Sequence, residues 1–203
     1  MKAIDRLTLP EFLAELAAGT PTPGGGGAAA SVAAHAAALA EMVAGLTLKN
    51  KKFEDVHPDM EEAVDQLQQL REAMLRQIEA DAEAFETWLA AWKLPKDNPT
   101  RESVLLEASW KAAEAPLFIA ELAAALVEPI EVVLTKGTPM AASDGALAVI
   151  MMAAAIRSAL YNVRINLGSL PAGERVSRIG ERERELLEIA AQAERSLLPL
   201  VKI

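Results

Sequence analysis

Four polar residues interrupt otherwise apolar helical stripes in this chain: Asp81, Asp144, Asn162 and Asn166. Asp81 follows Ile78 by three residues and precedes Phe85 by four, so its carboxylate points toward the buried side of a helix. An enclosed carboxylate has its pKa raised by desolvation and can serve as an acid or base near neutrality. From position alone, a bond to a neighbouring helix end is an equally good assignment. Asp144, Ala148, Met151, Ala155, Ala159, Asn162 and Asn166 step by three or four along another stripe, apolar in the middle and polar at both ends. At 1.5 Å per residue, Asp144 and Asn162 stand roughly 27 Å apart, too far to touch one small reaction centre in the same subunit. Either they serve different parts of a long ligand or one acts across a subunit interface. The alternative for Asn162 and Asn166 is that they satisfy buried backbone groups.

A second feature is Pro21-Thr22-Pro23 followed by Gly24, Gly25, Gly26 and Gly27, directly before an alanine-rich helix. Glycine admits positive φ and close approach of a ligand to the backbone, and the unpaired N–H groups of a helix start attract anions and polar atoms. A flexible linker is the competing reading, but the two prolines stiffen the approach and no serine-rich spacer follows. The same helix ends in Lys49, Lys51 and Lys52, a positive cluster against an acidic background that also suits a solvated helix end. His35 sits among alanines and reads as a packed histidine, and His57 precedes Pro58 in a loop. Two scattered histidines without cysteine make neither a zinc signature nor a serine-histidine-acid constellation.

These residues require helices to position them. A short first helix is predicted from Thr8, in capping-box spacing with Glu11, to Gly19. The second spans about Gly27 to Leu48 and should be central, because its side chains are small all round. The third spans Pro58 to about Trp92, with Leu67, Leu70, Met74, Ile78, Phe85 and Trp92 at helical spacing. A fourth is expected from an Asn98-Pro99 cap to Gly137, kinked or broken at Pro116 and bent again at Pro129. Ser143 is expected to cap the fifth, which carries Asp144 in its first turn and stops at Gly168. A sixth, highly charged helix covers Pro171 to Leu197. The predicted class is all-α: one domain over 1–203, about five long helices plus the short first one.

Composition agrees. Hydrophobic residues make up 52% and aromatics only 4%, which favours close-packed alanine-rich helices over a β-sandwich. A net charge of −9 opposes the phosphate contacts that nucleic-acid binding needs. The absence of cysteine fits a reducing cytoplasm. Met1-Lys2-Ala3-Ile4-Asp5-Arg6 lacks an apolar leader region, and the longest apolar run, Gly145 to Ile156, is too short to cross a bilayer, so no membrane partner is expected. Small residues and methionines, including Met151 and Met152, cover more of the second and fifth helices than one intrachain partner would bury, which predicts a homodimer or larger even assembly.

The ordered set of motifs resembles the formiminotransferase-cyclodeaminase C-terminal family. Pro21-Thr22-Pro23 with the glycines is followed by Glu41-Met42-Val43, Leu46-Thr47, Lys51-Lys52-Phe53, Asp81-Ala82-Glu83-Ala84-Phe85, Leu94-Pro95-Lys96, Pro116-Leu117, Ser143-Asp144 and Asn162-Val163-Arg164-Ile165-Asn166-Leu167. Three positions depart from the pattern: Gly27 for a serine, Lys49-Asn50 for a glycine-lysine pair, and Thr138 for an asparagine. The resemblance implies a dimeric enzyme of folate one-carbon metabolism, a formiminotetrahydrofolate cyclodeaminase, with methenyltetrahydrofolate cyclohydrolase as the close alternative. A non-catalytic bundle that binds folate or a protein partner is a third. It further implies Asp144 and Asp81 as catalytic groups. Pro23, Gly24, Gly25, Gly26, Gly27, Lys51, Lys52, Ser143, Asn162 and Asn166 would contact the substrate, the lysines through a glutamate tail and the asparagines through the pterin. No cofactor or metal is expected.

Overall fold

A computed structural model describes residues 4–201, and all regular structure among them is helical. In chain order the helices are α1 (Leu9–Ala17), α2 (Gly25–Leu48), α3 (His57–Trp92), α4 (Arg101–Ala124), α5 (Val127–Lys136), α6 (Ala142–Leu167) and α7 (Glu174–Leu197), with short 3-10 turns before, between and after them. Five are long, as the periodicity predicts; besides the expected short first helix there is a second short one, α5. Met1-Lys2-Ala3, part of the segment expected to lack a leader, lies outside the described residues.

Local chemistry explains most boundaries. At α1, Thr8 Oγ1 accepts from the Glu11 N–H while Glu11 Oε2 accepts from the Thr8 N–H at 2.7 Å, the reciprocal capping box. The helix stops at Ala17, and Gly19 takes the left-handed φ of 74° that a helix end favours in glycine. At α6, the helix starts at Ala142 with Ala141 as its cap, so Ser143 does not cap it; Asp144 lies in the first turn as expected. At α4, Asn98 Oδ1 accepts from the N–H and hydroxyl of Thr100, and the helix begins only at Arg101. Fully extended Gly173 delays the last helix to Glu174.

The break between α4 and α5 corrects the sequence reading. Pro116 lies inside an unbroken α4, and the chain interrupts at Ala125 and Leu126 instead, with Pro129 in the first turns of α5. Near a helix start the missing proline N–H has no intrahelical partner to lose.

The core sits around α2. Ala30, Ala33, Ala36, Ala37 and Ala44 are fully buried, which lets α3 on one side and α6 on the other approach closely, with α4 beneath. Larger side chains, among them Met60, Leu67, Met74, Ile119, Met152 and Ile156, fill the remaining space. Both α2 and the stretch Pro139–Leu167 are long and apolar enough to span a bilayer, longer than the Gly145 to Ile156 run considered from sequence, and half of each apolar window is buried in the bundle. His35 is a further correction: it is exposed on the outer face of α2, with Nδ1 bonded to the Ser31 carbonyl.

Candidate active site

The start of α2 lacks a capping side chain, because its cap is Gly24. One of its free N–H groups, that of Gly27, donates instead to Asp81 Oδ2 on α3 at 3.1 Å. Burial pushes the Asp81 carboxyl above its ordinary pKa, and the Gly27 bond partly offsets that rise. The carboxylate thus caps a helix and is also poised for proton transfer.

The glycines make this approach possible. A Cβ on Gly26 would lie 2.1 Å from Asp81 Oδ1 and 2.4 Å from Oδ2; one on Gly25 would lie 2.9 Å from Asn162 Oδ1. The space a methyl group would take is filled by the polar side chains of the site itself. Among Gly24 to Gly27 no φ is positive, so conformational freedom is not what these positions use. Gly27 differs: a Cβ there would make ordinary contacts with Ile78 and Pro23 at 3.6 and 3.7 Å, so an alanine fits.

The two asparagines of α6 are oriented by main-chain carbonyls. Asn162 Nδ2 donates to Ser158 O at 2.9 Å, and Asn166 Nδ2 donates to Ala112 O at 2.6 Å on α4. The second bond explains a proline in mid-helix. In α4 the Ala112 carbonyl would ordinarily accept from residue 116, but Pro116 has no N–H, so that oxygen is left for Asn166.

These groups line one cavity of about 340 Å³ between the glycine turn, α3, α4 and α6. Pro21, Thr22, Gly24 to Gly26, Asp81, Asn162 and Asn166 border it, together with Phe85, Trp88, Ser109, Ala112, Ile165 and Ser169. Pro23 and Gly27 sit just behind that wall. Sequence reasoning missed Trp88, Ser109 and Ser169. Trp88 had a signal, since it follows Asp81 and Phe85 on the same face of α3, and the rings of Phe85 and Trp88 lie 5.8 Å apart.

Lys51, Lys52, Ser143 and Asp144 are elsewhere. Gly25 lies against Asn162 at one end, and the Thr138 N–H donates to Thr47 Oγ1 at 2.9 Å at the other, so α2 and α6 run antiparallel. The lysines and Asp144 therefore share the end opposite the cavity, roughly 27 Å from Asn162 along α6. Lys51, Lys52 and Ser143 are exposed there. Two of the departing residues have structural work: Asn50 accepts from the Lys52 N–H, and Thr138 caps the turn before α6. No cluster of potential metal ligands occurs among the described residues.

The family model described as formiminotransferase-cyclodeaminase matches residues 8–185. A methenyltetrahydrofolate cyclohydrolase of Methylorubrum extorquens is 35% identical over 167 residues, 80% of each chain. The formimidoyltransferase-cyclodeaminase of Sus scrofa is 31% identical over 88% of this chain, which spans only 34% of that longer protein. The crystal structure of a formiminotetrahydrofolate cyclodeaminase from Thermotoga maritima superposes with a TM-score of 0.89 at 31% identity, covering 98% of this chain and 97% of that one. With the family model matched over most of its length and a relative 35% identical over four fifths of both chains, the chain belongs to the formiminotransferase-cyclodeaminase family.

Proposed function

We propose that the chain is a formiminotetrahydrofolate cyclodeaminase acting in the cavity around Asp81. In this reaction N10 of the folate attacks the formimino carbon on N5, a five-membered ring closes, and ammonia leaves to give the methenyl cation. The observation that carries the reading is the convergence of Asp81, its pKa raised by burial, with two carbonyl-anchored asparagines in one cavity. Asp81 takes the proton from N10 or returns one to the departing amine, and its ionised form balances the cationic product. With their amide nitrogens engaged, Asn162 and Asn166 offer Oδ1 as acceptors for pterin N–H groups. Orientation of N10 toward the carbon supplies the rest of the acceleration. The residues named account for this chemistry without a metal or redox cofactor, and the setting is cytoplasmic.

The second reading is cyclohydrolase, in which water attacks the same carbon and opens the ring. It is favoured by the relative of Methylorubrum extorquens, which aligns over four fifths of both chains. Absorbance assays with the formimino and methenyl substrates in parallel rank the two. Binding of a reduced folate without turnover of either would leave the non-catalytic bundle, and absence of binding would refute all folate readings.

The functional assembly in this reading is a homodimer through α2 and α6. Met42 and Leu46 on α2, and Leu147, Ile150, Tyr161 and Ile165 on α6, form exposed apolar stripes along the two central helices. Ile165 borders the cavity and is 77% exposed, so a second copy would also close the site. An antiparallel two-fold arrangement would carry Asp144, Ser143, Lys51 and Lys52 of one subunit toward the cavity of the other. A monomer in sedimentation at micromolar concentration would remove this part.

A further inference from the structure

A second cavity opens beside the first. It is an open groove of about 600 Å³ between the end of α3, the connector after it and the start of α4, and shares Trp88, Ser109 and Ser169 with the Asp81 cavity. Its outer wall holds Trp92, Lys96, Arg101 and Glu102. Along α3, Asp81, Phe85, Trp88 and Trp92 occupy positions i, i+4, i+7 and i+11 of one face, leading from the carboxylate outward over roughly 16 Å. That is about the extent of a pterin, a methylene link and a benzoyl ring laid end to end.

The composition of this path is unusual for the chain. Only three tryptophans are present, and two of them line it. Trp92 is 54% exposed, an indole left uncovered at the mouth. Beyond it, Lys96 makes no ion pair or hydrogen bond among the described residues. Arg101 donates through Nε to Leu94 O at 2.9 Å and through one terminal nitrogen to Trp92 O at 3.1 Å, holding the connector in place. Lys96 and Arg101 outnumber Glu102, the one acid in the wall, so the rim is locally positive on a protein of net charge −9.

We propose that this second cavity binds the p-aminobenzoyl-glutamate half of the folate. Trp88 and Trp92 flank the benzoyl ring, and Lys96, with Arg101 behind it, receives the glutamate carboxylates. The assignment rests on the folate reading of the Asp81 cavity and gives the tail to Lys96 rather than to Lys51 and Lys52, which lie at the other end of α2 and reach the cavity only across the proposed dimer.

Two ligands separate the halves: 5-formyltetrahydrofolate, which carries the tail, and 6-methyltetrahydropterin, which lacks it. With Trp88→Phe and Trp110→Phe as background, the remaining indole fluorescence comes from Trp92 alone, which lines only the second cavity, and should be quenched by the folate but much less by the pterin. Lys96→Ala should weaken the folate about fivefold, the scale of one exposed charge pair, and Lys96→Glu by more. Trp92→Ala should weaken it by about tenfold. Pterin affinity should stay unchanged in all three. Equal weakening of both ligands, no change with the folate, or a tail effect carried by Lys51→Ala/Lys52→Ala instead would overturn the tail assignment alone. If the unmodified protein binds neither ligand, the folate reading falls and takes this one with it.

Discussion

Pro116→Ala should make the protein more stable and less active. Proline inside a helix costs about 3 kcal/mol relative to alanine, since it removes one hydrogen bond and its ring crowds the preceding turn. Pro116 is buried, so the substitution also strips two ring carbons from the core, at about 0.8 kcal/mol each. The balance is a gain of about 1 kcal/mol, or about 2 to 4 °C in melting temperature for a chain of this size. The new N–H at 116 would claim the Ala112 carbonyl, now the acceptor for Asn166 Nδ2 at 2.6 Å. Released from that oxygen, the Asn166 carboxamide rotates, and turnover should fall about tenfold or more, as expected for loss of substrate orientation. Calorimetry and initial rates on the same preparation test both halves. In an Asn166→Ala background the substitution should cost no further activity, because the side chain it disturbs is gone. Lower stability with unchanged turnover would refute the reasoning and make Pro116 a packing residue only.

The glycine turn gives a paired test: Gly26→Ala should lose about 1 to 2 kcal/mol, as Asp81 is forced off its charge-assisted bond, whereas Gly27→Ala should be neutral or slightly stabilising. Equal denaturation midpoints for the two would remove the steric account. Asp81→Asn should reduce turnover about a hundredfold with the fold intact, measured on whichever folate substrate is used. Its stability effect has a defined pH sign. Because burial raises the native pKa of Asp81, the favourable contribution of the carboxyl is fully present below the unfolded value of about 3.9 and is lost as pH rises through the native value. The asparagine variant should therefore gain stability over the parent at neutral pH, and the gap should close in acid; a gap that widens in acid would contradict it. Finally, Asp144→Asn should impair turnover only through the dimer, so mixing inactive Asp81→Asn and Asp144→Asn subunits should restore up to about a quarter of normal activity. No recovery after subunit exchange would place the two carboxylates in separate roles.

What the residues state locally, they state reliably. The Thr8 and Glu11 capping box, the helix from Pro58 to Trp92, the first-turn position of Asp144 and the central alanine helix all follow from propensity, periodicity and volume, which act over a few residues. The same local rules mislead at Pro116. They count its missing N–H as a defect of α4, whereas the oxygen it frees is used by a side chain fifty residues away on α6. His35 fails for a similar reason: alanine neighbours in sequence do not tell which side of a uniformly small helix remains uncovered.

By itself the sequence determined the class, the length and ends of most helices, and which polar residues had no place on an apolar stripe. Only the tertiary structure decided how those residues group. The antiparallel pairing of α2 with α6 joins Asp81, Asn162, Asn166 and the glycines at one end and sends Asp144, Ser143, Lys51 and Lys52 to the other. Helical periodicity sets the face a residue occupies, but not the neighbour its face meets. That depends on axial register between helices, set here by contacts too small to read in advance: two absent Cβ atoms at Gly25 and Gly26, and one absent N–H at Pro116.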